Sequence, residues 1–353
     1  RVIDPEKLLG DLVALPGPPG QEDAVREYLA EQVRALGLEP TTDAKGNLLV
    51  RPVATETVPD IVVTAHLDEI ALQVTEVEPG GKLRVGPLGG SHPWKWGEGP
   101  VEILARDGVL LPGVLSFGSI HTTSPLAAAQ QAREGRAVTW DAAFILTGLD
   151  AEALSEAGVR PGTRVVLARS RRALFPLAGD LVGSYFLDDR ADIVSWLLAL
   201  EEAKSLPGAE RLLFAATVSE EVGGLGALYL MNRIQPAVCV ALEIGPSTPD
   251  APFPLDDNPT VWVADTFAAS DPRDIELVAE VAHSIGLSPH FHVVTRGGSD
   301  ATCAASHGLC ARPITLAFAA YNSHGFEVMH RHAPEQLARL TTSLLQQLLS
   351  PGN

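Results

Sequence analysis

The chain has 353 residues, 46% of them hydrophobic and 20% charged, with a formal net charge of −18. Its length exceeds one average core and predicts two domains, and its composition is that of an ordinary globular protein. The negative charge argues against nucleic acid or an anionic membrane surface as main partner; it favours retained cations, although surface acidity by itself also reads as solubility.

The opening Arg-Val-Ile-Asp-Pro-Glu-Lys lacks the long apolar core of a secretory signal. Residues 5–15 read as a short helix stopped by Pro16-Gly17-Pro18-Pro19-Gly20. Val25, Tyr28, Leu29, Val33 and Leu36 fall on one face of a second helix, closed by Gly37. Residues 43–47 form a turn between two extended segments. The stretch 61–69 then reads as an apolar strand ending in the polar cluster His66-Leu67-Asp68-Glu69. His66 and Asp68, two apart, face one side, so Asp68 is placed to fix the imidazole from behind; alone, such a histidine reads as structural.

Between about residues 70 and 180 glycine and proline punctuate short alternating runs at 71–77, 83–85, 101–105, 109–114 and 164–168. Pro79-Gly80-Gly81 and Asp107-Gly108 are hairpin turns, and one helix is expected near 150–157. This predicts a small β module, 71–178, inserted into an α/β domain made of 1–70 and 179–353. Trp94 and Trp96 lie in a glycine-rich loop of the module, where packing or a subunit contact is their expected role.

The α/β pattern resumes at Gly183-Ser184-Tyr185-Phe186-Leu187-Asp188-Asp189-Arg190, followed by a helix with Ile193, Leu197 and Leu200 inward. A buried strand from Leu212 ends in the adjacent acids Glu220 and Glu221, a glycine-rich turn and a helix over about 224–232. Strand 237–244 carries Glu243. Strand 261–264, helix 271–285 and strand 290–295 lead to Arg296-Gly297-Gly298-Ser299-Asp300. Strand 314–318 ends near Tyr321-Asn322-Ser323-His324-Gly325, and a last helix buries Leu337, Leu340, Leu344, Leu345 and Leu348, with Pro351-Gly352 beyond it. Alternating strands and helices give a largely parallel central sheet covered by helices on both faces. Cys239, Cys303 and Cys310 form no Cys-x-x-Cys pair and predict buried free thiols in a reducing compartment; with no bilayer-length apolar run, a cytoplasmic protein is expected.

Five strand ends therefore present acidic or imidazole groups: His66, Asp188 with Asp189, Glu220 with Glu221, Glu243, and His324. Sites in open α/β sheets assemble beyond the carboxyl ends of the strands. Two adjacent buried acids demand a positive partner, and histidines with carboxylates but no thiolate suit zinc, cobalt or manganese. Two histidines and three carboxylates exceed one tetrahedral ion; they suit two ions about 3.5–4 Å apart, bridged by a carboxylate and a water whose pKa falls to about 7. One acid of the Glu220/Glu221 pair is then free to be the general base.

The set Ala65-His66-Leu67-Asp68-Glu69, Leu187-Asp188-Asp189-Arg190, Ser219-Glu220-Glu221-Val222-Gly223 and Gly297-Gly298-Ser299-Asp300-Ala301 resembles the tetrahedral (glutamyl-type) aminopeptidases, dinuclear metallopeptidases also described as endoglucanase-like. The resemblance covers nearly the whole chain and includes Leu15-Pro16-Gly17, Gly46-Asn47, Leu88-Gly89-Gly90, Pro112-Gly113-Val114 and Arg160-Pro161-Gly162. It implies a zinc-peptidase-like fold in which Asp188 bridges two divalent ions, His66 and Glu243 complete one site, and Glu221 and His324 the other. Glu220 becomes the general base, Asp68 orients His66, and Asp188 joins Asp189 through a strained or cis peptide link. The insert is implied to be a PDZ-like domain through which relatives form dimers and tetrahedral dodecamers, with short peptides as substrates.

Three departures stand out. Glu243 occupies a position where relatives usually have Asp, which bears on metal affinity and preference. His324 sits in Asn-Ser-His-Gly rather than Tyr-Ile-His-Ser, with His330 and His332 as rivals. The insert continues as Ser91-His92-Pro93-Trp94, unlike relatives, which bears on its oligomer contacts. Competing readings are a related dinuclear carboxypeptidase or amide deacylase, a serine nucleophile in the turn at Ser299, and an assembly protein that keeps the fold without the chemistry. Arg190 and Arg296 are read as partners of the site's carboxylates rather than as selectors of acidic substrates.

Overall fold

A computed structural model describes residues 3–350; Pro351 and Gly352, expected past the last helix, lie outside the described residues. The chain divides into two compact units, Arg1–Asp68 with Leu174–Asn353, and Glu69–Ala173.

The first unit is built on an eleven-stranded sheet. Its centre is four parallel neighbours, Leu212–Thr217, Ile61–His66, Val238–Pro246 and Arg312–Tyr321. These are buried along almost their whole length, so they read in the sequence as continuous apolar runs rather than alternating ones. Successive side chains point to opposite faces and feed two cores. Val63, Phe214 and Val240 pack with Leu29, Leu197, Val278 and Leu340 from helices on one face. Val62, Leu213 and Ala241 pack with Leu230, Met231 and Ala304 from helices on the other.

The flanks are largely antiparallel. Leu48–Val50 borders Leu212–Thr217, and Pro259–Ala264 and Phe326–His330 both border Arg312–Tyr321. Leu181–Tyr185 pairs with Phe326–His330, at the far side from Leu48–Val50. Parallel order holds in the centre and in one flanking pair, Pro259–Ala264 with His290–Val293, where helical crossovers return the chain; the Asn322–Gly325 hairpin is too short for anything but an antiparallel return. The strand Phe326–His330 has no counterpart in the sequence reading, because its alternation is brief and one inward position is a glutamate.

Helices Pro5–Val13, Asp23–Ala35, Leu225–Ile234, Pro272–Ser284 and Ala333–Leu348 fall where the periodicity predicts. Asp4 and Asp271 accept backbone N–H groups at the starts of their helices, as capping requires.

The second unit is a closed barrel, in order Ala71–Val77, Leu83–Leu88, Phe144–Leu146, Leu110–Ser116, Gly99–Leu104 and Arg164–Leu167. Gly81 (φ 84°) and the Asp107–Gly108 pair (φ 59° and 76°) make its two tight turns. Trp96 is buried edge-on against Trp140, whereas Trp94 is exposed. At the base of the unit the fully buried Arg172 forks onto both carboxylate oxygens of Glu69 and donates through Nε to Leu167 O. All three cysteines are free and buried. Among the described residues no helix is long and apolar enough to cross a membrane.

Candidate metal centre

The parallel strands all run the same way, so their carboxyl ends share one edge. His66 is the last residue of its strand, Glu243 lies near the end of its own, and Glu220 and Glu221 follow Thr217 by three and four residues. Asp188 follows Leu181–Tyr185, and His324 sits in the hairpin before Phe326–His330. The Asp188–Asp189 peptide is cis.

These side chains converge. His66, Asp188, Asp189 and Glu243 form one group of donor atoms all within 4.8 Å of one another; Asp188, Glu221 and His324 form another, and His66, Glu220 and Glu221 a third. Asp188 belongs to the first two. One of its oxygens lies 3.1 Å from His66 Nε2 and the other 3.6 Å from His324 Nε2. Glu221 is 3.6 Å from His324 Nε2, and Glu220 is 3.8 Å from His66 Nε2. His330 and His332 join none of these groups; their rings pair with each other, and His332 lies 3.5 Å from Glu335.

Buried side chains behind the donors hold the backbone that carries them. The Asp68 carboxylate accepts from Glu220 N (2.9 Å) and Glu221 N (3.0 Å). Its main-chain oxygen is 3.0 Å from His66 Nδ1, closer than its carboxylate at 3.4 Å. Asp68 therefore touches the imidazole chiefly through its carbonyl, while its side chain organises the acid pair. One turn earlier, Asn47 Oδ1 accepts from Val218 N, and Glu22 Oε1 accepts from Ser219 N, a residue at φ 55°. Glu327 accepts from Asp188 N (2.9 Å) and His324 N (3.0 Å).

Sequence reasoning missed Glu22 and Glu327. Glu327 does leave a signal: an acid on the inward phase of Phe-Glu-Val-Met, where a buried charge must have partners. Arg190 acts on the site electrostatically, as expected, by helping to hold Asp188 low. It is fully buried and donates to the main-chain oxygens of Leu12, Leu15 and Leu67, so it ties loops together and presents no charge to a substrate. Arg296 is exposed. Ser299 is no nucleophile: its buried hydroxyl caps helix Asp300–Ser306 and contacts Thr315 Oγ1 at 2.7 Å.

The electrostatics fit divalent cations. Burial, reinforced by neighbouring acids, pushes Glu220, Glu243 and Asp189 well above the usual carboxylate range, and Asp192 behind them to about 7. Burial alone would lower the His66 pKa, but Asp189, Asp188, Asp68 and Glu220 raise it well above its ordinary value. Asp188 is held low, against its burial, by His66, His324 and Arg190. Asp189 Oδ1 is buried without a hydrogen-bond partner. So many buried carboxylates are costly unless cations compensate them, and a donor set of imidazole and carboxylate without thiolate matches zinc, cobalt or manganese.

Comparison with known proteins agrees with this picture. The family model for M42 glutamyl aminopeptidase matches residues 46–340. The glutamyl aminopeptidase of Lactococcus lactis subsp. cremoris is 27% identical over 334 residues, covering 92% of this chain and 90% of the relative. The lysyl aminopeptidase of Pyrococcus furiosus is 25% identical over 241 residues, 67% of this chain and 66% of the relative. Among solved structures, the TET1 peptidase of Pyrococcus horikoshii, which can assemble into a tetrahedron or a large octahedral shell, superposes with a TM-score of 0.81 at 26% identity, over 97% of this chain and 99% of that one.

Proposed function

The chain belongs to the M42 glutamyl aminopeptidase family, and from that premise we propose that it is a metal-dependent aminopeptidase that removes N-terminal residues from short peptides. The observation that carries the reading is the sharing of Asp188 between two donor groups, with Glu220 beside them. His66, Asp188 and Glu243 would hold one divalent ion; Asp188, Glu221 and His324 would hold the other. Zinc suits the donors best, with cobalt or manganese as substitutes. When bound, such a pair polarises a carbonyl and lowers the pKa of water.

The rest of the chemistry falls to the chain. Glu220, pushed up by burial and by Glu221, takes a proton from the attacking water and delivers it to the leaving amine. A carboxyl with a raised pKa suits both halves of that task near neutral pH. Asp68 keeps Glu220 and Glu221 in register by holding their adjacent amides. The insert, proposed as the oligomerisation module, would bring copies together as a dimer or a tetrahedral dodecamer, which light scattering of the full chain measures.

The decisive variant is Glu220→Ala. It should abolish hydrolysis of amino-acid anilides while zinc content stays at wild-type stoichiometry; retained turnover would remove Glu220 from its role. Glu243 favours a second reading, because related dinuclear carboxypeptidases and amide deacylases use Glu at this ligand position. Paired peptides with free and blocked N-termini separate the two, since only the aminopeptidase requires the free amine.

A further inference from the structure

Resting on that reading, we propose that Glu327 is a positioning residue that sets the affinity of the second ion site, the one formed by Asp188, Glu221 and His324. The two donor groups are supported differently. His66, Asp188, Asp189 and Glu243 are all buried. His324 is partly exposed, with about a third of its side chain open (32%), and the Glu221 side chain is 7% exposed; both ride on turns, one of them the hairpin Asn322–Gly325. In that hairpin Asn322 and His324 both have positive φ, 65° and 62°. Asn and His enter the left-handed region more readily than most residues, but it remains an uncommon conformation, and an outside tether favours it at His324.

Glu327 supplies it. The side chain is 1% exposed, on a strand whose register pairs it with Ser184, four residues before Asp188. Its Oε1 accepts from His324 N and its Oε2 from Asp188 N. One carboxylate thus spans the backbone of a ligand shared by both sites and the backbone of a ligand belonging to the second alone. Glu221, the third member, is tethered separately through Asp68. Loss of Glu327 should therefore loosen the second site and leave the His66–Glu243 side intact.

Glu327→Gln tests this with little change in volume. Its amide turns an NH2 group toward one of the two backbone N–H groups, so one acceptor contact becomes a repulsion. Chelator-stripped wild-type protein and E327Q are titrated with Zn2+ against a chromophoric competitor, with H324A as the benchmark for loss of the second site. In wild type two ions bind per chain. In E327Q one should bind as in wild type and the other about 10–100-fold more weakly, the usual cost of removing a group that supports a ligand. The lost kcat should return at excess zinc with KM unchanged, a rescue that general destabilisation would not show. Two wild-type affinities in E327Q, or equal loss of both, would overturn the proposal. Wild-type protein that takes up no zinc would instead overturn the metallopeptidase reading. If circular dichroism shows E327Q unfolded, Glu327→Asp is judged by the same outcomes, since it keeps both acceptors but withdraws them by one methylene.

Discussion

Asp68→Asn should uncouple folding, metal uptake and catalysis in a way that exposes how the acid pair is held. The wild-type carboxylate is fully buried and accepts from Glu220 N and Glu221 N at 2.9 and 3.0 Å. Hydrogen bonds to a charged acceptor contribute roughly 1.5–3 kcal/mol each, and an orphaned buried donor costs roughly 1–3 kcal/mol. Asn keeps one acceptor and confronts the other amide with an NH2, so one bond is lost and one N–H is stranded. A destabilisation of about 2.5–6 kcal/mol follows, readable by denaturant unfolding. His66 keeps its neighbour, because the contact at 3.0 Å is with the main-chain oxygen of residue 68. The first ion should therefore still bind. Glu220, however, shifts with its backbone, and a displacement of about 1 Å costs on the order of 10²-fold in kcat. The assay is kcat and KM on an amino-acid anilide at saturating zinc, with zinc content measured on the same sample. Near-wild-type kcat in a fully loaded D68N protein would refute the claim that these amide contacts position the base.

Other expectations follow from the same structure. Chelator-stripped protein should lose stability as pH rises between about 4 and 7, because Asp192 moves from 3.8 unfolded to about 7 folded and Glu220 and Glu243 also rise. A raised folded pKa contributes stability below the unfolded value that is lost as the folded group ionises, at about 1.4 kcal/mol per pH unit for each group. Zinc should flatten this dependence, and stripped protein that melts higher at pH 7.5 than at pH 5 would contradict it. Arg172→Ala removes the guanidinium that forks onto the buried Glu69 carboxylate and should cost about 3–5 kcal/mol; urea unfolding of the full chain is the check. Gly226→Ala would place a Cβ 2.3 Å from Val218 O in the turn that carries the acid pair. The variant should unfold more readily and lose turnover, and an unchanged melting temperature would show that the turn can yield.

Much of the site was legible because catalysis of this kind puts costly residues in improbable places. A lone His66 is ambiguous, but acids and imidazoles after successive apolar runs predict a shared edge once the runs are read as parallel strands, and all seven singled-out side chains do meet or support that edge. That Arg190 acts on Asp188 was legible, whereas the main-chain oxygens of Leu12, Leu15 and Leu67 that its guanidinium reaches were not. The strand–glycine–serine–helix run at Ser299 describes an N-cap as well as a nucleophile, and the structure shows the cap. Glu22 left no pattern, since what defines it is a partner 197 residues away.

From residue order alone come most strands, most helices, the inserted β module and the donor types, because local periodicity and the cost of burying charge are written in short windows. Which atoms touch is another matter. That the Asp68 side chain holds two amides while its carbonyl faces His66, and that Glu327 links Asp188 to His324, depends on strand register and on the direction of individual oxygens. Those are set by long-range packing, where a shift of one residue turns every side chain to the opposite face.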